Sequence, residues 1–223
     1  MSVFAVIPVK MLQDSKTRLS EVLKPQERQS LTLAMLEDIL SAVTSSSGVD
    51  RTAVVSPDSK AQEFAESFGA AYLLEKEQGL NHAVEQATLW CMQNNARSVL
   101  VLPADIPLIT SSDVNRMISL CSSEECIAIA PSRNGGTNAL LQKPPNLITP
   151  FFGPESFKRH LAEASSRGIM TRVYRAQNVS LDIDSPEDLE SLLRIGGQTA
   201  SHRFLKRVHS QRTFQASDEN PEA

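Results

Sequence analysis

Short, unbroken apolar runs alternate along this chain with longer stretches in which apolar residues return every three or four positions. The runs Val3 to Val9, Thr52 to Ser56, Ala71 to Leu74, Val99 to Leu102 and Cys126 to Ala130 predict strands, and the continuous ones suit a sheet buried on both faces. The periodic stretches predict helices. Pro25 opens one that carries Leu31, Met35, Ile39 and Ala42 or Val43, and Pro57-Asp58 starts one through Phe64 and Phe68 that Gly69 ends. Val84, Ala87 and Trp90 lie on a third, and Phe157 and Leu161 on a later one. Val114, Met117 and Ile118 follow Thr110, Ser111 and Ser112, with Asp113 placed to serve the first turn.

Beyond Cys126 to Ala130 the pattern changes. Pro131 to Asn138 interrupts it, Ala139 to Leu141 resumes extended structure, Gly168 to Tyr174 reads as a late strand, and Val179 to Asp184 as a short final one. Ser185 to Asp188 then offers an N-cap, a proline at the first helical position and acids in the first turn, and Gly196-Gly197 closes that last helix. The fold class implied is α/β, a three-layer α/β/α, Rossmann-like arrangement around a mainly parallel sheet, with an antiparallel addition over residues 132 to 182. One domain spans 1–197. From 198 to 223 the apolar periodicity fades, which predicts a polar, loosely ordered tail.

Candidate chemistry gathers where the strands end. Asp105 is the first charge after the Val99 to Leu102 run, held between Pro103 and Pro107, so a carboxylate leaves the carboxyl edge of a central strand, where open α/β sheets bind ligands. Because Thr110 to Asp113 already cap the next helix, Asp105 is free for metal or substrate work. Lys10 follows the first strand directly, and Lys16 and Arg18 complete a basic loop suited to phosphate. Gly79 lets backbone approach a flat ligand, and Asn81 offers the donor and acceptor needed to read a purine edge. Asn134-Gly135 fits a hairpin turn, while Gly136, Thr137 and Asn138 add open backbone, a hydroxyl and an amide suited to an anion or sugar. Gly153, Pro154 and Ser156 fit a helix start, where free amides favour a carboxylate or phosphate. In an extended backbone Asp182 and Asp184 face one side while Leu181 and Ile183 face the other. Oxygen ligands without histidine or thiolate suit a hard ion, usually magnesium, in the company of phosphates.

Composition narrows the classes. The 223 residues are 41% apolar and 22% charged, with a formal charge of −4, too mild to imply a nucleic-acid partner. No apolar run approaches membrane-spanning length and no basic leader precedes the first strand, so membrane insertion and secretion are disfavoured. Cys91, Cys121 and Cys126 have no metal-ligand spacing and leave an odd thiol; they read as packing residues in a reducing cytoplasm. A dehydrogenase would carry a glycine fingerprint after the first strand, and Lys10 to Ser20 contains no glycine. Homodimer formation is left open.

Six segments in order resemble a known family, the 2-phospho-L-lactate guanylyltransferases. They are Val6-Ile-Pro-Val-Lys10 with Lys16-Thr-Arg18-Leu, Gly79-Leu-Asn-His-Ala83, Leu102-Pro-Ala-Asp-Ile-Pro107, Gly135-Gly-Thr-Asn138, Phe152-Gly153 with Ser156-Phe157, and Leu181-Asp-Ile-Asp-Ser-Pro186. The resemblance covers about residues 3 to 195. It implies a nucleotidyltransferase domain with a glycosyltransferase-A-like, nucleotide-diphospho-sugar-transferase-like fold, moving GMP from GTP to the phosphate of 2-phospho-L-lactate or phosphoenolpyruvate, with release of pyrophosphate, in deazaflavin coenzyme biosynthesis. Residue by residue, it places Mg²⁺ on Asp105, Asp182 and Asp184, the triphosphate on Lys10, Lys16 and Arg18, the base near Gly79 and Asn81, and the acceptor on Thr137, Gly153 and Ser156. A sugar-phosphate or molybdopterin-type acceptor is the nearest rival, and a non-catalytic nucleotide-binding protein the rival from another class. The glycine-poor first loop departs from the wider nucleotidyltransferase pattern and shifts triphosphate contacts to side chains.

Overall fold

The computed structural model describes residues 2–218. Its centre is the pair β1 (Val3–Pro8) and β4 (Ser98–Val101), every residue of which is buried, as their unbroken apolar sequences require. The other strands are β2 (Arg51–Ser56), β3 (Ala71–Leu74), β5 (Cys126–Pro131), β6 (Thr137–Lys143) and β7 (Met170–Val173), and the sheet order is β3-β2-β1-β4-β6-β5-β7. All adjacent pairs are parallel except β4 with β6 and β6 with β5. The antiparallel addition expected over residues 132 to 182 is therefore one strand, β6, inserted between β4 and β5; β7 runs parallel to β5.

Helices cover both faces. Val3, Ala5 and Ile7 of β1 pack with α1 (Pro25–Thr44), α2 (Ser59–Ser67) and α4 (Ser111–Leu120). Phe4 and Val6 point the other way, into a core with α3 (Leu80–Gln93) and α5 (Ser156–Ser166). Three layers result, as the alternation predicts. From β1 the chain goes on to β2 toward one edge of the sheet and from β4 to β5 toward the other, so the strand order reverses between them and the crevice between their carboxyl ends is a topological switch point. Lys10 follows one strand and Asp105 the other.

Three local expectations are corrected. Val179 to Asp184 is no strand: Gln177–Ser180 is a single helical turn, α6, and residues 181–184 run irregularly into α7 (Pro186–Ile195). The turn is set by side chains, since Asn178 donates to the Asp113 carboxylate and to the Leu108 carbonyl. Leu181 and Ile183 are still buried, in a third core with Leu31, Met35, Leu189 and Leu192, so the expected inside-outside alternation survives without a ladder. The tail from 198 is also ordered over most of its length: α8 (Ala200–Asp218) packs Leu205 and Val208 into the same core, and Asp38 of α1 accepts from the Ala200 and Ser201 amides at 2.5 and 3.0 Å. Residues 219–223 lie outside the described ones. Finally, Cys121 and Cys126 are joined in a disulfide, which leaves Cys91 as the free, buried thiol, its pKa pushed up to about 12 by burial. Among the described residues no helix is long and apolar enough to cross a membrane.

Candidate functional site

The loop after β1 closes in two short 3-10 turns, Leu12–Asp14 and Thr17–Leu19, and is held from below. The Leu12 amide donates to Asp58, and the Ser15 hydroxyl donates to the Leu12 carbonyl and sits 2.9 Å from that of Thr32. Between the turns Lys16 adopts a left-handed backbone (φ 51°), a strained choice for a residue with a Cβ. The conformation aims the Lys16 side chain inward, leaving it only 9% exposed, where Nζ donates to Asp105 at 2.9 Å and to Asp184 at 2.8 Å. One ammonium thus joins segments separated by 89 and 168 residues.

The acidic side is built by the backbone as much as by the side chains. The Ile183 amide donates to the Asp105 carbonyl at 2.9 Å, drawing the 181–184 segment against the loop after β4. Asn138, at the start of β6, donates to the Val179 carbonyl and to the Asp182 carboxylate, fixing Asp182 beside the other two acids. Asp188 is occupied as the capping partner of Ser185 at the start of α7, as its position predicts.

Charges follow the geometry. Burial opposes the Lys16 ammonium, but Asp105 and Asp184 outweigh that and hold its pKa above the ordinary lysine value. Burial also works against the Asp184 carboxylate, yet Lys16, with Arg18 and Lys10 behind it, brings its pKa below the usual one. Asp182 goes the other way, pushed up by burial first and by the neighbouring Asp105 second, with Asn138 offsetting only part. Two cation-paired carboxylates and one proton-hungry carboxylate share the site.

Lys10, Lys16, Arg18, Asp105 and Asp184 line one cavity of about 350 Å³. Gly79 lines an adjoining cavity that shares Pro8, Val9, Lys10, Asp14 and Leu80 with the first. Asn81, Asp182, Thr137, Gly153 and Ser156 line neither. Asn81 is committed elsewhere: its amide accepts from the Phe152 backbone at 2.7 Å and donates to the Phe152 carbonyl at 3.2 Å, clamping the start of α3 to the loop before α5. One N–H and one lone pair of the Asn81 amide are engaged in this clamp, which holds the side chain against the Phe152 backbone.

Among the described residues no group of three His, Cys, Asp or Glu side chains is gathered so as to hold a metal ion by itself. The position between Asp105 and Asp184 belongs to the Lys16 ammonium. Each of Asp105, Asp182 and Asp184 nevertheless keeps one carboxylate oxygen that accepts no hydrogen bond from the described residues. Magnesium is bound by one or two carboxylates together with substrate phosphates more often than by an all-protein cage. That oxygen set fits it.

Thr137, Gly153 and Ser156 form a second group at the start of β6 and α5. Gly136 and Ser132 close the β5–β6 hairpin, and the Phe157 amide donates to the Gly135 carbonyl. Ser156 is fully buried and donates its hydroxyl to Thr137 Oγ1 at 3.1 Å. Beneath them lies His160, which no sequence signal singled out, although it stands one helical turn beyond Ser156 on the same face. The Phe151 amide donates to His160 Nε2 at 2.9 Å, so the proton sits on Nδ1 and is donated to Thr137 Oγ1 at 3.0 Å. Thr137 thereby accepts twice and keeps its own hydroxyl proton to give.

Burial holds the His160 pKa down at about 4, with Arg159 adding to the effect. A depressed histidine is stabilising where the ring is neutral in both states and costs stability once the unfolded chain takes up a proton that the folded chain refuses. Stability should therefore fall on acidification from about pH 6.5 to pH 4, by about 3 kcal/mol from this ring. Urea unfolding of the parent and His160→Asn across that window measures it: the difference between the two stabilities narrows as the pH drops, and parallel curves would exclude it.

The sequence family described as guanylyl transferase, CofC like, matches residues 3–221. A phosphoenolpyruvate guanylyltransferase of Rubrobacter xylanophilus is 44% identical over 198 residues, covering 88% of this chain and 96% of that one. A 2-phospho-L-lactate guanylyltransferase of Methanothermobacter thermautotrophicus is 38% identical over 209 residues, covering 93% and 92%. Among solved structures, one from Desulfovibrio desulfuricans G20, provisionally named a nucleotide-diphospho-sugar transferase, superposes with a TM-score of 0.78 at 15% identity, covering 94% of this chain and 96% of that one. That likeness bears on the fold alone.

Proposed function

This chain belongs to the CofC-like guanylyl transferases, and from that premise we propose that it moves GMP from GTP to the phosphate of a small phosphorylated carboxylic acid, 2-phospho-L-lactate or phosphoenolpyruvate, as a step of deazaflavin coenzyme biosynthesis. The observation that carries the reading is the Lys16 ammonium held between Asp105 and Asp184 in a cavity with Lys10 and Arg18, at the switch point between β1 and β4. Cations and carboxylates side by side are what a metal-loaded triphosphate needs; either sign alone would repel half of it.

In this reaction an oxygen of the acceptor phosphate attacks the α-phosphorus of GTP, the bond to the bridging oxygen breaks, and pyrophosphate leaves with the electron pair. The acceptor is already an anion at neutral pH, so no side chain has to remove a proton from it. Lys10, Lys16 and Arg18 neutralise the triphosphate and the charge that builds on the leaving group, and alignment supplies the rest. The free oxygens of Asp105, Asp182 and Asp184 would hold magnesium, which when bound adds further positive charge against the phosphates. Thr137, kept as a donor by Ser156 and His160, and the backbone at Gly153 would meet the acceptor.

A pyrophosphate-release assay over the four nucleoside triphosphates, each paired with 2-phospho-L-lactate, phosphoenolpyruvate, a sugar phosphate and no acceptor, tests this with magnesium present and then chelated. Release confined to GTP with a phosphorylated acid, and lost on chelation, is expected. Release with the sugar phosphate instead would move the chain to the rival transferase reading, and binding of GTP without release in any mixture would reduce it to a nucleotide-binding protein.

A further inference from the structure

Asn81 is clamped to the Phe152 backbone and lines neither cavity, so polar groups that could read the base are sought in the slot beside the phosphate-binding cavity. This slot, of about 380 Å³, has largely apolar walls in Pro8, Val9, Met11, Pro57, Leu80 and Ala83. It adjoins the Lys10 and Lys16 cavity through shared residues, as the base and phosphates of one nucleotide require. Three polar side chains other than Lys10 line it: Asp14, Glu75 and Gln78. Asp14 is exposed and belongs equally to the phosphate cavity, and Gln78 is exposed on the loop. Nearby Asp58 has both oxygens taken, by the Leu12 and Lys60 amides.

Glu75 differs from these. It is half-buried at the end of β3, and the Gly79 amide donates to its Oε1 at 2.8 Å, while its Oε2 accepts no hydrogen bond from the described residues. The loop that bears it is pinned at its other side by Gln86, which accepts from the Lys76 amide and donates to the Leu74 carbonyl. Gly79 itself has φ 132°, open to glycine and rarely to other residues, so the amide that orients Glu75 depends on that glycine. The result is a carboxylate fixed in advance in an apolar slot.

A carboxylate can only accept. Of the two purines, guanine presents two donors side by side, the N1 hydrogen and the 2-amino group; adenine presents an acceptor at N1 and no 2-amino group. We infer that Glu75 reads the N1 and 2-amino edge of guanine and is the residue that sets the choice of GTP over other purine nucleotides. This rests on the guanylyl-transfer reading above and deepens it.

Inosine triphosphate isolates the 2-amino group, since it keeps the N1 hydrogen and lacks only that donor. The parent should prefer GTP to ITP in kcat/KM by about tenfold or more, because ITP forgoes one hydrogen bond to a charged acceptor. In Glu75→Gln the amide oxygen still serves Gly79 while an amino group faces the base, and the ratio should shrink to within about threefold. A folded Glu75→Gln that keeps the parent ratio, or a parent without the preference, would overturn the assignment. Equilibrium binding of GDP against IDP to the same two proteins reads the same ratio without turnover. Loss of guanylyl transfer altogether would therefore strike the reaction, while an unchanged GDP to IDP ratio would strike Glu75 alone.

Discussion

Asp105→Asn is expected to lower kcat by about two orders of magnitude or more, in line with loss of one main electrostatic contact in a pre-organised site. The substitution keeps the shape of the side chain and an oxygen that can still accept from Lys16, so what it removes is the charge. That charge is used twice in the proposed reaction: it pairs with the ammonium at 2.9 Å, and the other oxygen would serve as a hard ligand for magnesium. Stability responds weakly because two consequences oppose each other. Lys16 loses part of its compensation, while Asp182, whose pKa Asp105 helps to raise, is relieved of a like charge. Melting within about 3 °C of the parent is expected. Pyrophosphate release at saturating GTP, acceptor and magnesium, run beside a thermal melt, separates the two effects, and a folded variant with near-parental turnover would remove Asp105 from the mechanism.

Lys16→Met should be as damaging to turnover and should also destabilise. Its ammonium is the group that lets Asp105 and Asp184 approach one another, and without it two partly buried carboxylates face each other with Asp182 beside them. Breaking an enclosed pair by removing one partner costs about 3–5 kcal/mol; both acids here keep solvent contact, so about 2 kcal/mol at neutral pH is the expected loss. Its pH dependence gives a signature. In the parent the lowered pKa of Asp184 contributes stability above the carboxylate's ordinary value, and this is lost as pH falls through the folded value. In the variant that contribution is gone at the start, so the two stability curves should converge below about pH 4. Denaturant unfolding at pH 7 and pH 3.5 checks it; a constant offset would show that Lys16 acts by packing alone.

How far the chain was legible follows from the range of the interactions. The strands and helices rest on local periodicity and local caps, such as Thr110 with Asp113 and Ser185 with Asp188, and these read directly. Asp105, Lys10, Lys16 and Arg18 also read directly, because they follow strand ends and the switch point is where such ends meet. What failed depends on partners far away in sequence. Residues 177–180 coil because Asn178 finds Asp113 and Leu108, and α8 forms on the core because Asp38 caps it from another helix. The clamp of Asn81 on the Phe152 backbone, 71 residues on, is likewise invisible to local pattern. His160 gave no signal because its two partners come from β6 and from the loop before α5. That Lys16 would bridge Asp105 and Asp184 across 89 and 168 residues was not readable from spacing.

Transfer of label from GTP carrying phosphorus-32 at the α-position, in a single turnover with excess protein, tests the centre of the account most directly. With magnesium and phosphoenolpyruvate or 2-phospho-L-lactate, the parent should yield a labelled product containing GMP joined to the acid, and Asp105→Asn and Lys16→Met should yield about one-hundredth of it or less in the same time. Label that stays in GTP with either acid, or that moves at the parental rate in both variants, would contradict it.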